Sequence, residues 1–183
     1  MKHYLLFAFF TLSALGGVAQ QNLNLGGAVI YDSYRSPGFA LKMEYEKFFT
    51  PDFSLPLKLE TGYVYGGEKN SLSIELHKGF RKYFASGIFL EQYIGVGAMA
   101  NFYHTDDIWY FDKYQWGYRY APGANWGFKP STGVVVGYDL THASEQSHLI
   151  CLKTDVYWNL GFRPLHLPYS SVQLAYVFTF KNL

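Results

Sequence analysis

The sequence predicts an all-β protein, a single up-and-down antiparallel transmembrane β-barrel of about eight strands with a filled polar lumen. Three observations favour this fold class. Segments of roughly ten residues alternate between apolar and polar side chains, as membrane-spanning strands do. Aromatic residues make up 20% of the chain and charged residues only 16%, against about 25% charged residues in ordinary soluble domains. No apolar run reaches the roughly 18 residues of a membrane-spanning helix.

The clearest strand covers residues 88–102, with the sequence IFLEQYIGVGAMANF. Counting every second residue places on one face Ile88, Leu90, Ile94, Val96, Ala98, Ala100 and Phe102, with Gln92 as the single polar member. Helical spacing fits less well, because it would put glycines inside a helix at roughly 1 kcal/mol each. The segment is longer than soluble strands of roughly 5–6 residues and long enough to cross a membrane.

The same alternation predicts seven further strands. Together the eight predicted strands cover residues 23–31, 39–48, 55–65, 71–81, 88–102, 128–140, 148–158 and 171–180. If both termini lie in the periplasm, the turns at 50–53, 83–87 and 141–147 are periplasmic. The connections at 32–37, 66–70, 103–127 and 159–169 are then extracellular, where outer-membrane barrels have their long loops. We expect the longest of them, 103–127, to be irregular.

The N-terminus has the features of a secretory signal. Lys2 and His3 precede an apolar run over residues 4–15, and small residues lead up to Ala19. We predict a signal peptide over residues 1–19 and a barrel domain over residues 20–183. A membrane anchor is the alternative, but the apolar run is short for one. Cys151 is the only cysteine, so no intrachain disulfide can form.

Alternation alone does not say which face meets solvent, since a soluble lipocalin-like barrel has the same period. Three features favour apolar side chains outside. The polar face contains the small residues that a crowded eight-stranded lumen requires, Gly26, Gly62, Gly79, Gly95, Gly97, Gly133 and Gly137. It also carries charges of both signs, which can pair when buried. Finally, many apolar stripes end in aromatic residues, as in the interfacial girdles of membrane barrels.

The last residues of the chain, Tyr176-Val177-Phe178-Thr179-Phe180-Lys181-Asn182-Leu183, resemble the C-terminal aromatic signal that the barrel-assembly machinery reads. With this ending and the strand pattern, the chain resembles the small eight-stranded outer-membrane β-barrel proteins as a class. The resemblance implies the outer membrane of a Gram-negative-type bacterium, with membrane lipids, lipopolysaccharide and the assembly machinery as partners. A net charge of +1 gives no reason to expect nucleic acid binding.

The class contains structural and adhesion barrels, small transporters and a few lipid-modifying enzymes, so membership does not select a function. We expect a non-enzymatic protein with a structural or surface-recognition role carried by extracellular loops, without a cofactor or a metal. A small-solute transporter or channel is the first alternative. It would use the ionisable residues that we predict inside the lumen, Lys58, Glu60, Glu75, His77, Arg81 and Glu91, as a path. We expect them instead to pair as a structural plug, because eight strands leave room only for side chains.

A lipid A-modifying enzyme is the second alternative. His142-Ala143-Ser144 is an H-x-S triplet, and Glu145 follows it. It resembles the triplet of some outer-membrane lipid A deacylases, in which the acidic residue is more distant. A serine nucleophile needs a base within hydrogen-bond reach and a group that orients the base. The predicted turn at 141–147 is periplasmic, which is the wrong depth for lipid of the outer leaflet.

The long outer loop holds the other candidate residues. His104, Asp106 and Asp107 could ligate a divalent ion, but their spacing is loose and a solvated loop is the simpler interpretation. Aromatic and basic side chains there could stack on an extracellular glycan or grip a protein, or they could fold over the barrel mouth. The binding candidates are Trp109, Tyr110, Trp116, Tyr118, Arg119, Tyr120 and Trp126.

Overall fold

The chain forms β-strands that close into a barrel. The structure is a computed structural model that describes residues 20–33, 36–67, 69–104, 108–112, 117–121, 124–140, 146–158, 160–161 and 168–181. Its strands are β1 (Gln21–Asp32), β2 (Pro37–Thr50), β3 (Phe53–Tyr65), β4 (Lys69–Tyr83), β5 (Ile88–Tyr103), β6 (Ile108–Asp112), β7 (Gly117–Ala121), β8 (Ala124–Phe128), β9 (Ser131–Asp139), β10 (Gln146–Tyr157), β11 (Leu160–Gly161) and β12 (Tyr169–Lys181). Within these ranges no helix is long and apolar enough to cross a membrane.

The barrel wall has eight positions, although more than eight strands contribute to it. From β1 to β5 each strand pairs antiparallel with the next, and β12 pairs with both β1 and β10. The ring closes because β5 pairs with β8 near one end and with β9 near the other. β8 and β9 therefore share one wall position, and β10 and β11 share the next. The predicted fold class, an up-and-down barrel of about eight strands, is confirmed.

The predicted continuous strand over residues 128–140 is interrupted. Lys129 and Pro130 separate β8 from β9. Proline has no N–H to donate to a ladder, so it is placed at strand ends and bulges. The backbone around the break is still held in the wall, because Lys129 N donates to Gly97 O at 2.8 Å and Trp158 N donates to Pro130 O at 3.0 Å.

The expectation of an irregular loop over residues 103–127 is wrong. β6 and β7 form a separate two-stranded antiparallel hairpin, with Trp109 opposite Tyr120 and Phe111 opposite Tyr118. β8 then begins within the same stretch, at Ala124. Aromatic residues favour strands, and both strands of the hairpin are rich in them.

One end of the barrel has short turns, and we call it the lower end. Pro51 and Asp52 connect β2 to β3 there, and residues 84–87 connect β4 to β5. In the second turn Gly87 N donates to Phe84 O at 2.9 Å, and Gly87 has φ of 83°, which favours glycine. Both turns lie at predicted turn positions, and their periplasmic location stays a prediction. The hairpin lies at the opposite, upper end, and residues 141–145 lie outside the described residues.

Side chains alternate between lipid-facing and lumen-facing positions, as predicted. Leu41 and Ile94 are 66% and 67% exposed on the outer surface, and Leu57 also faces outward. Their neighbours Lys58 and Tyr93 are buried in the lumen. An exposed apolar surface of this extent is unfavourable in water and favourable in hydrocarbon. The outer surface is therefore the membrane-facing one.

Large and small side chains alternate across the lumen. Phe89 lies directly opposite Gly137, and Tyr93 lies opposite Gly133. A Cβ atom built on Gly137 would collide with the ring of Phe89. Such pairs leave room for large aromatic rings within a narrow barrel.

Part of the lumen is apolar rather than polar. The side of the lumen formed by β9, β10 and β12 carries Val135, Leu149, Cys151, Ala175 and Val177, all buried. Charged side chains concentrate on the opposite side, on β2 to β5. The ionic groups therefore pack against an apolar wall, in a setting where each of them needs a partner.

Residues 1–19 lie outside the described residues. The predicted signal peptide and its cleavage after Ala19 stay a prediction.

Candidate functional site

Two groups of ionic side chains fill the lumen. The lower cluster consists of Glu44, Glu46, Lys58, Arg81 and Glu91. The upper cluster consists of Lys42, Glu60, Glu75, His77, Lys129, Lys153 and Asp155. Strands β2 to β5 supply the whole lower cluster, whereas β10 and the break between β8 and β9 also contribute to the upper one.

Arg81 is the centre of the lower cluster, and all five of its N–H groups have acceptors. Nε and one Nη2 hydrogen donate to Glu91 Oε2 at 3.0 and 2.7 Å, and the other Nη2 hydrogen donates to Glu44 Oε2 at 2.9 Å. Nη1 donates to Glu46 Oε1 at 2.9 Å and to the Tyr83 hydroxyl at 3.1 Å. The guanidinium carbon lies 4.4 Å from the Phe89 ring centroid. A planar donor with this fork geometry suits several carboxylates at once.

Carboxylates outnumber cations in the lower cluster, since Arg81 and Lys58 face three glutamates. Lys58 Nζ lies 2.6 Å from Glu91 Oε1 and 3.2 Å from Glu44 Oε2. Neutral donors supply the remaining hydrogen bonds. Ser54 Oγ and the Tyr83 hydroxyl donate to Glu46 at 2.5 and 2.8 Å. Asn24 Nδ2 donates to Glu44 at 2.5 Å.

The upper cluster is built around Glu60. Lys153 Nζ lies 2.9 and 3.0 Å from the two Glu60 oxygens, and Lys42 Nζ lies 3.2 Å from Oε2. Gln173 Nε2 also donates to Glu60, at 2.9 Å. Lys153 in turn contacts Asp155 at 3.2 Å. Two lysines and an amide therefore neutralise and bind one carboxylate.

A second part of the upper cluster surrounds Glu75. Lys129 Nζ lies 2.5 Å from Glu75 Oε1, and His77 Nε2 lies 3.2 Å from Oε2. Tyr93 joins this part to the first, because its ring centroid is 4.7 Å from that of His77 and its hydroxyl donates to Asp155 at 3.2 Å. The upper cluster thus extends across the barrel interior.

The structure places all six predicted lumen residues inside the barrel, but it divides them between the two clusters. Lys58 and Arg81 both contact Glu91, and Glu75 contacts His77. Glu60 pairs instead with residues outside the predicted set. The additional members on the predicted polar face are Lys42, Glu44, Glu46, Lys153 and Asp155. The period-2 alternation predicts that these residues face the lumen, but it does not predict which residues they contact across it.

Lys129 is the member that sequence reasoning missed. It is buried, it pairs with Glu75, and its Nζ lies 4.2 Å over the Tyr157 ring centroid. It precedes Pro130, where the strand breaks and the alternation can no longer be counted. The proline itself was the available signal, since it indicates an irregular position within a strand pattern.

The lower cluster leaves little free space beside it. A cavity between Arg81, Lys58 and the apolar wall at Val135 and Cys151 has room for about one water molecule. Side chains therefore obstruct the barrel interior at this level. The arrangement fits ion pairing and exclusion of solvent better than passage of a solute.

The hairpin of β6 and β7 arranges the outer-loop candidates by register. Trp109, Phe111, Tyr118 and Tyr120 occupy positions of one parity and so share one face of the hairpin. Tyr110 and Arg119 are paired with each other at positions of the opposite parity. Of the remaining candidates, Trp126 on β8 is 76% exposed, and Trp116 lies outside the described residues.

Within its described residues, the structure assembles no site from the other candidate residues, those for catalysis and for metal binding. His142, Ser144 and Glu145 lie outside the described residues, as do Asp106 and Asp107. His104 is exposed, and its Nδ1 lies 3.1 Å from the Gly67 carbonyl oxygen. In the part of the chain that the structure describes, no three His, Cys, Asp or Glu side chains converge as metal ligands would.

Several solved structures have a similar β-barrel architecture. The N-terminal β-barrel domain of Pseudomonas aeruginosa OprF matches with a TM-score of 0.50 and 14% identity, over 88% of this chain and 99% of that domain. Neisserial surface protein A matches with a TM-score of 0.51 and 9% identity, over 88% and 96% of the two chains. Ail of Yersinia pestis, in complex with the heparin analogue sucrose octasulfate, matches with 0.50 and 12% over 88% and 99%.

No protein-family profile and no curated protein sequence matches this chain. At such low identities the structural likeness shows the fold alone. The chain has the fold of the small eight-stranded outer-membrane β-barrels, and its apolar outer surface agrees with that fold.

Proposed function

We propose that this chain is an integral protein of the outer membrane of a Gram-negative-type bacterium and that it acts at the cell surface through the hairpin β6–β7. The barrel serves as a rigid anchor, and the two ionic clusters serve as its structural plug. The observation that carries the surface role is the register of the hairpin, which places four aromatic residues at positions of one parity in the connection that follows β5.

The membrane location is supported by the outer surface of the barrel. Its apolar belt includes Leu41, Ile74 and Ile94, and aromatic residues such as Tyr45 and Tyr138 are exposed towards the strand ends. Aromatic girdles of this kind mark the membrane–water interfaces. Membrane lipids and lipopolysaccharide are then the immediate neighbours. β12, with Phe178 and Phe180, is the segment that we assign to the barrel-assembly machinery.

An extracellular glycan is the ligand class that best fits the hairpin. Aromatic side chains supply large contact areas at small entropic cost, and sugar rings stack on such surfaces. The fold is compatible with a sugar ligand, since the structure of Ail holds a heparin analogue. A protein ligand is the other outcome that the experiment below can show.

The lumen argues against transport as the main role. Arg81 and Glu91 are 2% and 0% exposed, and they close the lower part of the barrel with Glu44, Glu46 and Lys58. An eight-stranded barrel has space for side chains and not for an aqueous channel. We expect no conductance from the purified protein in planar bilayers. Discrete current steps from the wild type would favour the transporter instead.

The surface role can be tested with two matched variants of the hairpin. Trp109→Ala changes the aromatic face, and Tyr110→Ala changes the neighbouring position on the other face. Cells that display the wild type should bind a defined set of glycans on an array, and Trp109→Ala should reduce this binding while Tyr110→Ala should not. Equal loss in both variants, or binding that survives replacement of residues 108–121 by a glycine–serine linker, would contradict the proposal.

A further inference from the structure

Three lysines stand on the outer surface of the barrel near its lower end. Lys78 and Lys82 lie on β4 at the same parity as the exposed residues Leu76 and Phe80, and Lys47 lies on β2 at the parity of exposed Tyr45. We call these three lysines the basic patch. All three point away from the lumen, so they cannot belong to the ionic clusters described above.

The register places the basic patch beside membrane-facing residues. Lys78 lies between Leu57 on β3 and Ile94 on β5, both of which are exposed and apolar. Lys82 lies opposite Phe53, close to the turn that ends β4. Because the short turns mark the periplasmic end of such barrels, the basic patch lies at the level of the periplasmic leaflet.

The surroundings of Lys78 are costly for a cation. On the lipid face a lysine is unfavourable in the centre of the bilayer and nearly neutral close to the headgroups. The two cross-strand neighbours of Lys78, Leu57 and Ile94, are apolar and supply no counter-charge. Among the described residues neither Lys78 nor Lys82 forms an ion pair with a carboxylate. Every lysine of the two lumen clusters, by contrast, lies 2.5–3.2 Å from one.

Aromatic rings hold Lys82, one member of the basic patch, in place. Phe53 packs against Phe49 and Phe80 with ring centroids 6.0 and 5.4 Å apart. Lys82 Nζ lies 5.4 Å over the Phe53 ring and 5.2 Å over the Phe84 ring. Cation–π contacts of this length fix the ammonium group at the edge of the aromatic surface, where lipid headgroups meet the acyl chains.

We propose that Lys47, Lys78 and Lys82 form a binding site for the phosphate headgroup of an anionic phospholipid of the periplasmic leaflet. A phosphate at this position supplies Lys78 and Lys82 with the counter-charge that no described carboxylate provides, and Phe49, Phe53 and Phe80 contact the acyl chains. The inference rests on the transmembrane fold and not on the proposed surface role, so either can fail without the other.

The test compares binding of phosphatidylglycerol and phosphatidylcholine to the full-length barrel in detergent micelles, by native mass spectrometry of lipid adducts. Lys78→Gln combined with Lys82→Gln removes two charges from the basic patch. Lys69→Gln removes one at the upper end and serves as the control. We expect the wild type to prefer phosphatidylglycerol, and each lysine of the patch to contribute about fivefold to that preference. The control should retain the full preference.

A second measurement separates lipid binding from a purely structural effect. Lys78→Met removes a cation from an apolar belt, so it should stabilise the barrel against urea in phosphatidylcholine vesicles. In vesicles that contain phosphatidylglycerol the gain should shrink or reverse, because the variant loses its headgroup contact. The proposal is overturned if the double variant keeps the wild-type lipid preference, if wild-type adducts form equally with both lipids, or if millimolar inorganic phosphate displaces phosphatidylglycerol.

Discussion

Arg81 and Glu91 lie directly opposite each other on β4 and β5, and two N–H groups of Arg81 converge on one oxygen of Glu91. Both side chains are buried. A shift of one residue between β4 and β5 would move one of these charges to the lipid face. The pair therefore selects the register of the two strands as well as filling the lumen.

Removal of Arg81 should destabilise the barrel strongly. Arg81→Met leaves Glu44, Glu46 and Glu91 buried with Lys58 as their only cation of the lower cluster, and we expect a loss of about 3–5 kcal/mol in the free energy of unfolding. Urea titration in phospholipid vesicles, followed by tryptophan fluorescence, measures it. Gln92→Ala, at the lipid-facing position that follows Glu91 on β5, is the matched control and should change the free energy of unfolding little. An unchanged urea midpoint for Arg81→Met would show that the lower cluster does not support the fold.

The close approach of the Phe89 ring to Gly137 leads to a second prediction, about overpacking of the lumen. Gly137→Ala places a Cβ atom against the Phe89 ring and should cost about 1–3 kcal/mol through overpacking. Most of this loss should disappear when Phe89→Leu is already present, since the smaller side chain gives way. Gly67→Ala, where a Cβ meets open space, should be neutral. Additive effects of Gly137→Ala and Phe89→Leu would argue against the contact.

Cys151 offers a probe of lumen packing that needs no engineering. It is a free cysteine, buried in the apolar wall of the lumen. A water-soluble maleimide should modify it slowly in the folded barrel and rapidly in urea, because access requires opening of the barrel. Mass spectrometry of timed samples gives both rates. Similar rates in the two states would mean that the lumen is open to solvent at this level.

The orientation of the barrel predicts which connections are accessible on intact cells. An epitope inserted after Asp112, at the end of β6, should bind antibody without permeabilisation. The same epitope between Pro51 and Asp52, in a short turn at the lower end, should bind antibody only after the outer membrane is permeabilised. The reversed pattern would place the hairpin in the periplasm and remove the proposed surface role.

Local patterns were sufficient to predict the strands and the two faces of the barrel. The period-2 alternation around Leu41 and Ile94 depends only on neighbouring residues, and both side chains face the membrane as predicted. The alternation failed at Pro130 and in the stretch that contains the hairpin. At Pro130 the proline interrupts the ladder of hydrogen bonds. In the hairpin, aromatic residues favour paired strands.

The sequence by itself determined that Arg81, Glu44 and Glu46 lie inside, because each is on the polar side of its strand. Only the tertiary structure decided that they meet, since Arg81 is 35 and 37 residues away from its two partners along the chain. Contacts across a lumen depend on strand tilt and stagger, which the whole closed ring sets together. The alternation of a single strand carries no information about that closure.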